Sequence, residues 1–325
     1  MGLGDKIGDA VDDIVDGIVD AIETAITKML AGGASSMIES SLSLFKSGLK
    51  IDDGSLVGDN LTTMPNDYNT DVWNIVHVIC TSVVAPIAGM ILVIILLYEL
   101  LTMVMEGNNF REFDTGIFFK WIIKALCGIV LISHTTDIII GLFAMGNDIT
   151  TAALGKIMDK DMLAVEVGTV ASQIETMLVD NHKAEWGILI VFLLFSLVMF
   201  LVMVVSLVIV MLVVISRLIE AFMYIAIAPV PMSTFMNREW GTIGTNWIRN
   251  IFALAFQGLF IVVALGVFQA MFASSVQGLI DEGNQQAPDT MKMYLSMLTC
   301  IVWSVALCFT TFKSSSISKS IFNAH

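Results

Sequence analysis

Apolar and polar positions follow two different rules along this chain. Near the start, Ile7, Val11, Ile14, Ile18, Ile22, Ala25 and Met29 recur at steps of three and four, while Asp9, Asp12, Asp16, Asp20 and Glu23 keep the same period on another face. That spacing predicts an amphipathic helix over about residues 5–31, roughly 40 Å long at 1.5 Å per residue. "AGGASSMIESSLSLF" then predicts a break followed by a short apolar piece, and "DDGSLVGDNLTTMPNDYNTD" an irregular polar connector. From residue 73 onward the periodicity gives way to long apolar runs. The clearest, Gly187 to Ser216, holds thirty residues without a charge. A hydrocarbon core about 30 Å thick needs roughly 20 mostly apolar residues per helical passage. Spans are accordingly predicted at 73–104, 117–144, 187–216, 248–276 and 291–312, with 217–232 as a partial segment. The expected fold is all-α, a polytopic helical membrane protein with an N-terminal amphipathic helix: a leader over 1–71 and a membrane domain over 72–325.

Composition agrees with this reading. Of 325 residues, 56% are apolar and 14% charged, and the mean hydropathy is +0.84, well outside the range of soluble domains. The N-terminus has no basic head followed by an uninterrupted apolar core, so no cleavable signal peptide is expected and the mature chain is expected to begin near Met1. Cys80, Cys127, Cys300 and Cys308 all fall in apolar runs, where thiols act as small hydrophobes; no disulfide, redox or metal role is assigned to them.

Charge sets the expected orientation. The leader carries thirteen Asp or Glu against four Lys, a net charge of −9, and the stretches 145–186 and 277–292 are also acidic. Arg111, Lys120, Lys124, Arg217, Arg238, Arg249, Lys313 and Lys319 flank the opposite ends of the spans. Basic residues collect on the cytoplasmic side, which predicts the leader outside and the C-terminus inside. Trp73, Tyr98, Trp121 and Trp247 lie near span ends, as interfacial aromatics do.

Segment 217–232 raises the sharpest question. "AIAPVPM" places Pro229 and Pro231 at the end of an apolar run, with Arg217 and Glu220 upstream. A full crossing there would need a hairpin turn within "VVISRLIEAF", which has no Gly, Pro or Asn to make one. The third helix is instead expected to run on and end at Pro229, freeing carbonyls near residues 225–227. Such carbonyls survive buried in protein or lining a wet cavity; in the simpler alternative the prolines end a helix at headgroup level, where water serves them. Arg217 likewise either enters the interior or snorkels to the interface.

The stretch "RLIEAFMYIAIAPVPMSTFMNREWGTIGTNWIRNIFALAFQG", Arg217 to Gly258, resembles the core signature of TrbL-like polytopic subunits of type IV secretion systems, in the version found in conjugative elements of Gram-positive bacteria. The residues carrying the resemblance are Arg217, Ala228, Pro229, Trp240, Trp247 and Arg249. The resemblance implies a homo-oligomeric membrane component of the mating channel, with a pentamer as one candidate, working beside conjugation ATPases and the coupling protein, meeting DNA-protein cargo transiently and carrying no catalysis.

Other features have two readings each. Gly258, Gly266, Ala270 and Ser274 place small side chains on one helix face, for packing within the chain or between subunits. His134 and Asp137 share a face within the second span, as a polar kink near the outer interface or an intramembrane relay. Glu99 reads as an inner-interface residue, and His77 with Cys80 has too few companions for a metal site. The acidic helix, with Ile7, Val11, Ile14, Ile18 and Ile22 along its apolar stripe, is a poor anchor for anionic lipid. It packs on its own membrane domain or bundles with neighbouring copies as a collar, and the length of the stripe favours the collar.

Sixteen basic residues, scattered in a chain of net charge −14, give no footprint for stable nucleic-acid binding. Phosphate-binding glycine loops, metalloprotease helices and paired-cysteine zinc patterns are absent from the sequence, so neither an enzyme nor a cofactor is expected. The leading expectation is a structural, channel-forming subunit of a conjugative apparatus. An ion channel or secondary transporter is the alternative from another class, lowered by the lack of an internal repeat, and a non-conducting scaffold for secretion ATPases is the third.

Overall fold

The computed structural model describes residues 3–49, 57–106, 115–158, 167–181, 185–283 and 289–324, and every secondary-structure element among them is helical. Arg111 lies outside them. In order these are α1 (Leu3–Leu49), α2 (Gly58–Thr62), α3 (Pro65–Tyr68), α4 (Thr70–Val78), a π-helical turn (Ile79–Val84), α5 (Ala85–Glu106), α6 (Thr115–Ser133), α7 (Thr135–Met158), α8 (Val167–Asn181), α9 (Trp186–Ile227), α10 (Pro229–Ser233), a 3₁₀ turn (Thr234–Met236), α11 (Gly241–Gly283) and α12 (Thr290–Ile321). Five helical stretches are long and apolar enough to cross a membrane: Thr70–Met105, Thr135–Ile157, Trp186–Ile227, Gly241–Glu282 and Thr290–Ile321. The protein is a multi-pass helical membrane protein. The chain divides into two compact units, one of residues 1–50, 157–210 and 264–310, the other of 51–156, 211–263 and 311–325.

In the second unit the first passage begins at Asn69, whose Oδ1 accepts the N–H groups of Asp71 at 2.9 Å and Val72 at 3.1 Å and so caps α4. Pro86 explains the π turn that follows. Its missing N–H and its ring disturb the turn ending at Ser82, and the backbone widens over Ile79–Val84 before α5 resumes.

The second passage runs antiparallel to the first. Trp121 Nε1 donates to the Leu96 carbonyl at 2.8 Å, Lys124 pairs with Glu99, Gly128 faces Leu92, and Thr136 lies beside Cys80. Beyond these, Ile139 shares a core with Val76. Apart from the pair made by the long Lys124 and Glu99 side chains, one set of numbers rises while the other falls, so α6 and the start of α7 form one passage although the helix is broken at His134. The segment expected as one span over 117–144 therefore falls on two helices. At the break the His134 N–H still reaches Val130 O, and the Thr135 hydroxyl donates to Leu131 O at 2.7 Å. Hydroxyls that bond back to the preceding turn bend helices in this way.

The later passages follow from the same kind of pairing. Gly146 meets Ala255 and Thr150 meets Gly258, so the contacts advance together along both helices and α7 and α11 run parallel. Gln257 Nε2 donates to Ser314 Oγ at 3.2 Å and Ser318 donates to Ala253 O, so α11 and α12 run antiparallel. The core of this unit gathers Val76, Ile139, Phe143, Leu218, Ala221, Phe222, Ile225, Trp247, Ile251 and Leu254.

The first unit has its own logic. In α1 the helix does not stop at "AGGASSM" but continues to Leu49, a correction to the expected break. Ala31, Ala34, Ser35, Ile38 and Leu42 are buried, as are Val170, Ala171, Ile174, Met177 and Leu178 of α8, the helix against which α1 packs. Gly32 and Gly33 let α1 approach closely: a Cβ at Gly33 would lie 3.2 Å from Leu193 Cδ1. Packing has overridden the weak helix propensity of two glycines, which costs about 1 kcal/mol each. For such helices in water, each buried Ile or Leu contributes about 1.5–3 kcal/mol. Helix α8 itself lies in the acidic stretch between the spans predicted at 117–144 and 187–216, where no helix was expected. Also in this unit, the Tyr294 hydroxyl donates to Ile188 O at 3.5 Å, Ser304 Oγ lies 3.2 Å from Met203 Sδ and Cys308 Sγ lies 3.2 Å from Ser206 Oγ, so α9 and α12 run parallel.

Candidate functional site

The helix end singled out from the sequence lies wholly in the second unit. Helix α9 continues past Arg217 and Glu220 to Ile227, and Ala228 holds helical dihedrals of φ −54° and ψ −37° before α10 begins at Pro229. The Ala228 N–H reaches back to Ile225 O at 3.3 Å in a tightened turn. Downstream, Ser233 Oγ donates to Val230 O and Thr234 Oγ1 to Pro231 O, both at 2.7 Å, and the Gly244 N–H donates to Thr234 Oγ1 at 3.0 Å. The Ile225 carbonyl, whose helical amide Pro229 removes, is thus served by the shortened turn, and the two hydroxyls serve carbonyls at the end of α10. Ala228, Pro229, Pro231, Met232 and Ser233 are all buried, and α10 packs on α5 and α6. The chain's own first two passages shelter this break; neighbouring copies are not needed for that.

Gly244 shows how tight the return is. A Cβ there would lie 2.8 Å from both the Phe235 ring and Pro231 O. The turn into α11 is made by Asn237, whose Oδ1 accepts the N–H groups of Glu239 at 2.8 Å and Trp240 at 3.0 Å. Its Nδ2 donates to Glu99 Oε2 at 2.9 Å. Glu99 is buried, held by Asn237 and by Lys124, rather than placed at an open interface. A carboxylate removed from water in this way needs both a cation and a hydrogen-bond donor. The Asn-Arg-Glu-Trp run after the prolines is the signal that could have flagged Asn237; nothing in the sequence marks its pairing with residue 99.

Arg217 does not snorkel. Its Nε donates to Leu254 O at 3.0 Å, Nη2 to Ala255 O at 3.1 Å and Nη1 to Leu61 O at 3.3 Å. No carboxylate among the described residues pairs with it. A planar guanidinium with five donors is suited to tying three carbonyls on two elements together, which an ammonium is not. Glu220 instead pairs with Lys319 at 3.1 Å. Trp247, expected at an interface, is buried in the core with its ring 6.5 Å from that of Tyr224, and its Nε1 has no hydrogen-bond partner among the described residues. Trp240 is exposed and stacks on Tyr98 with centroids 6.4 Å apart. Arg249 is in no ion pair among the described residues.

The small-residue stripe divides. Gly258 is buried, and a Cβ on it would lie 2.9 Å from both Arg217 Nη1 and Thr150 Oγ1. In the first unit, Gly266 faces Ile157, whereas Ala270 and Ser274 are exposed. His134 and Asp137 pair at 3.1 Å on an exposed face. No group of three or more His, Cys, Asp or Glu residues among the described residues is arranged to hold a metal, and Cys80, Cys127, Cys300 and Cys308 are free thiols.

On α1, Ile14, Ile18 and Ile22 are 62%, 55% and 52% exposed; the side chains of Ile7 and Val11 lie outside the described residues. The buried face of the helix begins further on, at Thr27 and Ala31.

No curated protein and no solved structure matches the chain. A family model described as "TrbL/VirB6 plasmid conjugal transfer like protein" matches residues 51–229. Of the residues that carried the resemblance, Arg217, Ala228 and Pro229 fall inside that match and Trp240, Trp247 and Arg249 beyond it. The match takes in the paired first two passages, the connector carbonyl held by Arg217, and α9 down to its proline. With more than half of its length covered, the chain belongs to the TrbL/VirB6 plasmid conjugal transfer-like family.

Proposed function

We propose that this conjugation-related membrane subunit is a channel-forming component of a type IV secretion apparatus that works as a homo-oligomer beside the conjugation ATPases. Family membership supports the setting. The observation that carries the oligomer is the apolar row Ile14, Ile18 and Ile22, exposed on an otherwise acidic helix that has already buried a different face against α8. A row of that length in water is costly to leave uncovered, and copies of the same helix bundled around an axis cover it with identical chemistry. The collar this makes would stand outside the cell. Five alternating passages put the two termini on opposite sides, and the basic residues Lys120 and Lys124 on α6 and Lys313 and Lys319 on α12 point to a cytoplasmic C-terminus.

Mass photometry of the full-length chain in lipid nanodiscs is the test. A closed oligomer of one size is expected, and a monomer across the accessible concentration range would end the channel reading while leaving the family assignment untouched.

A further inference from the structure

A cavity of about 790 Å³ lies in the second unit where the end of α5, the start of α6 and the loop before α11 meet. Lys120, Lys124 and Arg238 line it against two carboxylates, Glu99 and Glu239. Both carboxylates are already engaged. Glu99 is held by Lys124 and Asn237, and Glu239 accepts the Tyr98 hydroxyl at 3.1 Å. Lys120 and Arg238 are exposed and have no acidic partner among the described residues. Among the described residues, two cations therefore face the cavity without an acidic partner.

The wall beside them is apolar and leads away along a helix. Ile123 lines the cavity and is half exposed; with Phe119, Leu126 and Val130 it forms an exposed row at steps of three and four on α6. The stacked Tyr98 and Trp240 rings stand exposed at the same end, the amphipathic aromatics found where hydrocarbon meets water. Unpaired cations above an apolar row on a membrane-spanning helix match a molecule with an anionic head and a hydrocarbon tail.

We propose that this cavity binds an anionic phospholipid, with the headgroup phosphate between Lys120 and Arg238 and an acyl chain along Ile123, Leu126 and Val130. Inorganic phosphate shares the headgroup chemistry but has no use for the apolar row. An acidic peptide would likewise leave that row in contact with other lipid. The site stands independently of whether the protein forms a channel.

The experiment uses the full-length chain in phosphatidylcholine nanodiscs containing a minor fraction of labelled phosphatidylglycerol, with bound lipid counted by mass spectrometry. Wild type is expected to retain phosphatidylglycerol preferentially, and Lys120→Gln with Arg238→Gln to lower that preference about tenfold. The charge-matched pair Lys28→Gln and Lys46→Gln in α1 is expected to leave it unchanged. Excess inorganic phosphate is expected to displace little; displacement as effective as that by unlabelled phosphatidylglycerol would identify a soluble anion site and overturn the lipid assignment. Equal retention of both lipids by wild type, or an unchanged preference in the double variant, would overturn it as well. Photo-crosslinking of phosphatidylglycerol to the wild-type chain is a second readout that requires no variant to fold. Adducts are expected on residues 98–103, 119–130 and 235–239, and adducts confined elsewhere would reject the site.

Discussion

Single residues decide how closely these helices approach. At Gly146 an added Cβ would lie 2.5 Å from the backbone oxygen of Ala255, whereas at Gly266 it would lie 2.8 Å from the terminal Cδ1 of Ile157. Backbone cannot step aside and a flexible methyl group can. Gly146→Ala is therefore expected to destabilise by about 1–3 kcal/mol, the usual range for overpacking, and Gly266→Ala by clearly less. Thermal unfolding of the two variants in the same detergent compares them, and equal transitions would show that α7 and α11 are not in the contact described. Arg217 offers a second residue-level test. Its three donors reach three carbonyls, two on α11 and one on α2. An ammonium cannot span that set, and a hydrogen bond to a charged group contributes about 1.5–3 kcal/mol. Arg217→Lys should lower stability by about that much and increase proteolysis within residues 57–65; wild-type resistance there would mean that the guanidinium is dispensable.

At the scale of the element, α1 shows two faces doing different work. Ile38 and Leu42 are buried against the rest of their unit, and Ile14 and Ile18 are not. Replacing Ile14, Ile18 and Ile22 by Asp should leave the thermal transition of the chain nearly unchanged and reduce its oligomeric mass. Ile38→Asp should unfold the α1–α8 pair, because a carboxylate buried there has no partner. Size-exclusion chromatography with light scattering separates these outcomes, and an intact oligomer in the triple variant would remove the collar. Much of this element was legible from the spacing of its isoleucines. Its true end was not. "AGGASSM" reads as a break because glycine is a poor helix former, yet small residues are also what two helices need to touch. Only the presence of α8 and Leu193 decides between the two meanings. The π turn had a visible sign in Pro86, and the break at His134 lay within a polar cluster recognised from the sequence.

For the whole molecule, the order of passages is the claim with the widest reach. Pairings between α5 and α6, α7 and α11, α11 and α12, and α9 and α12 all agree with strict alternation. On a background lacking Cys80, Cys127, Cys300 and Cys308, single cysteines at Asp20 and Lys313 should react with an impermeant maleimide from opposite sides of the cell membrane, Asp20→Cys from outside. Labelling of both from one side would require an even number of passages and would undo the reading of 117–144 as one.

The sequence by itself determined that this is a helical membrane protein, roughly where it crosses, and that its third long helix ends at a proline. Those properties depend on the length and periodicity of apolar runs and on the missing amide of Pro229, which are local. Tertiary structure alone decided which acid neutralises Lys124, that Asn237 meets the same acid, and that Arg217 turns inward rather than to the interface. Each of those rests on partners tens to more than a hundred residues distant. In a bilayer, where hydrophobicity no longer separates inside from outside, only packing and hydrogen-bond satisfaction can choose among them.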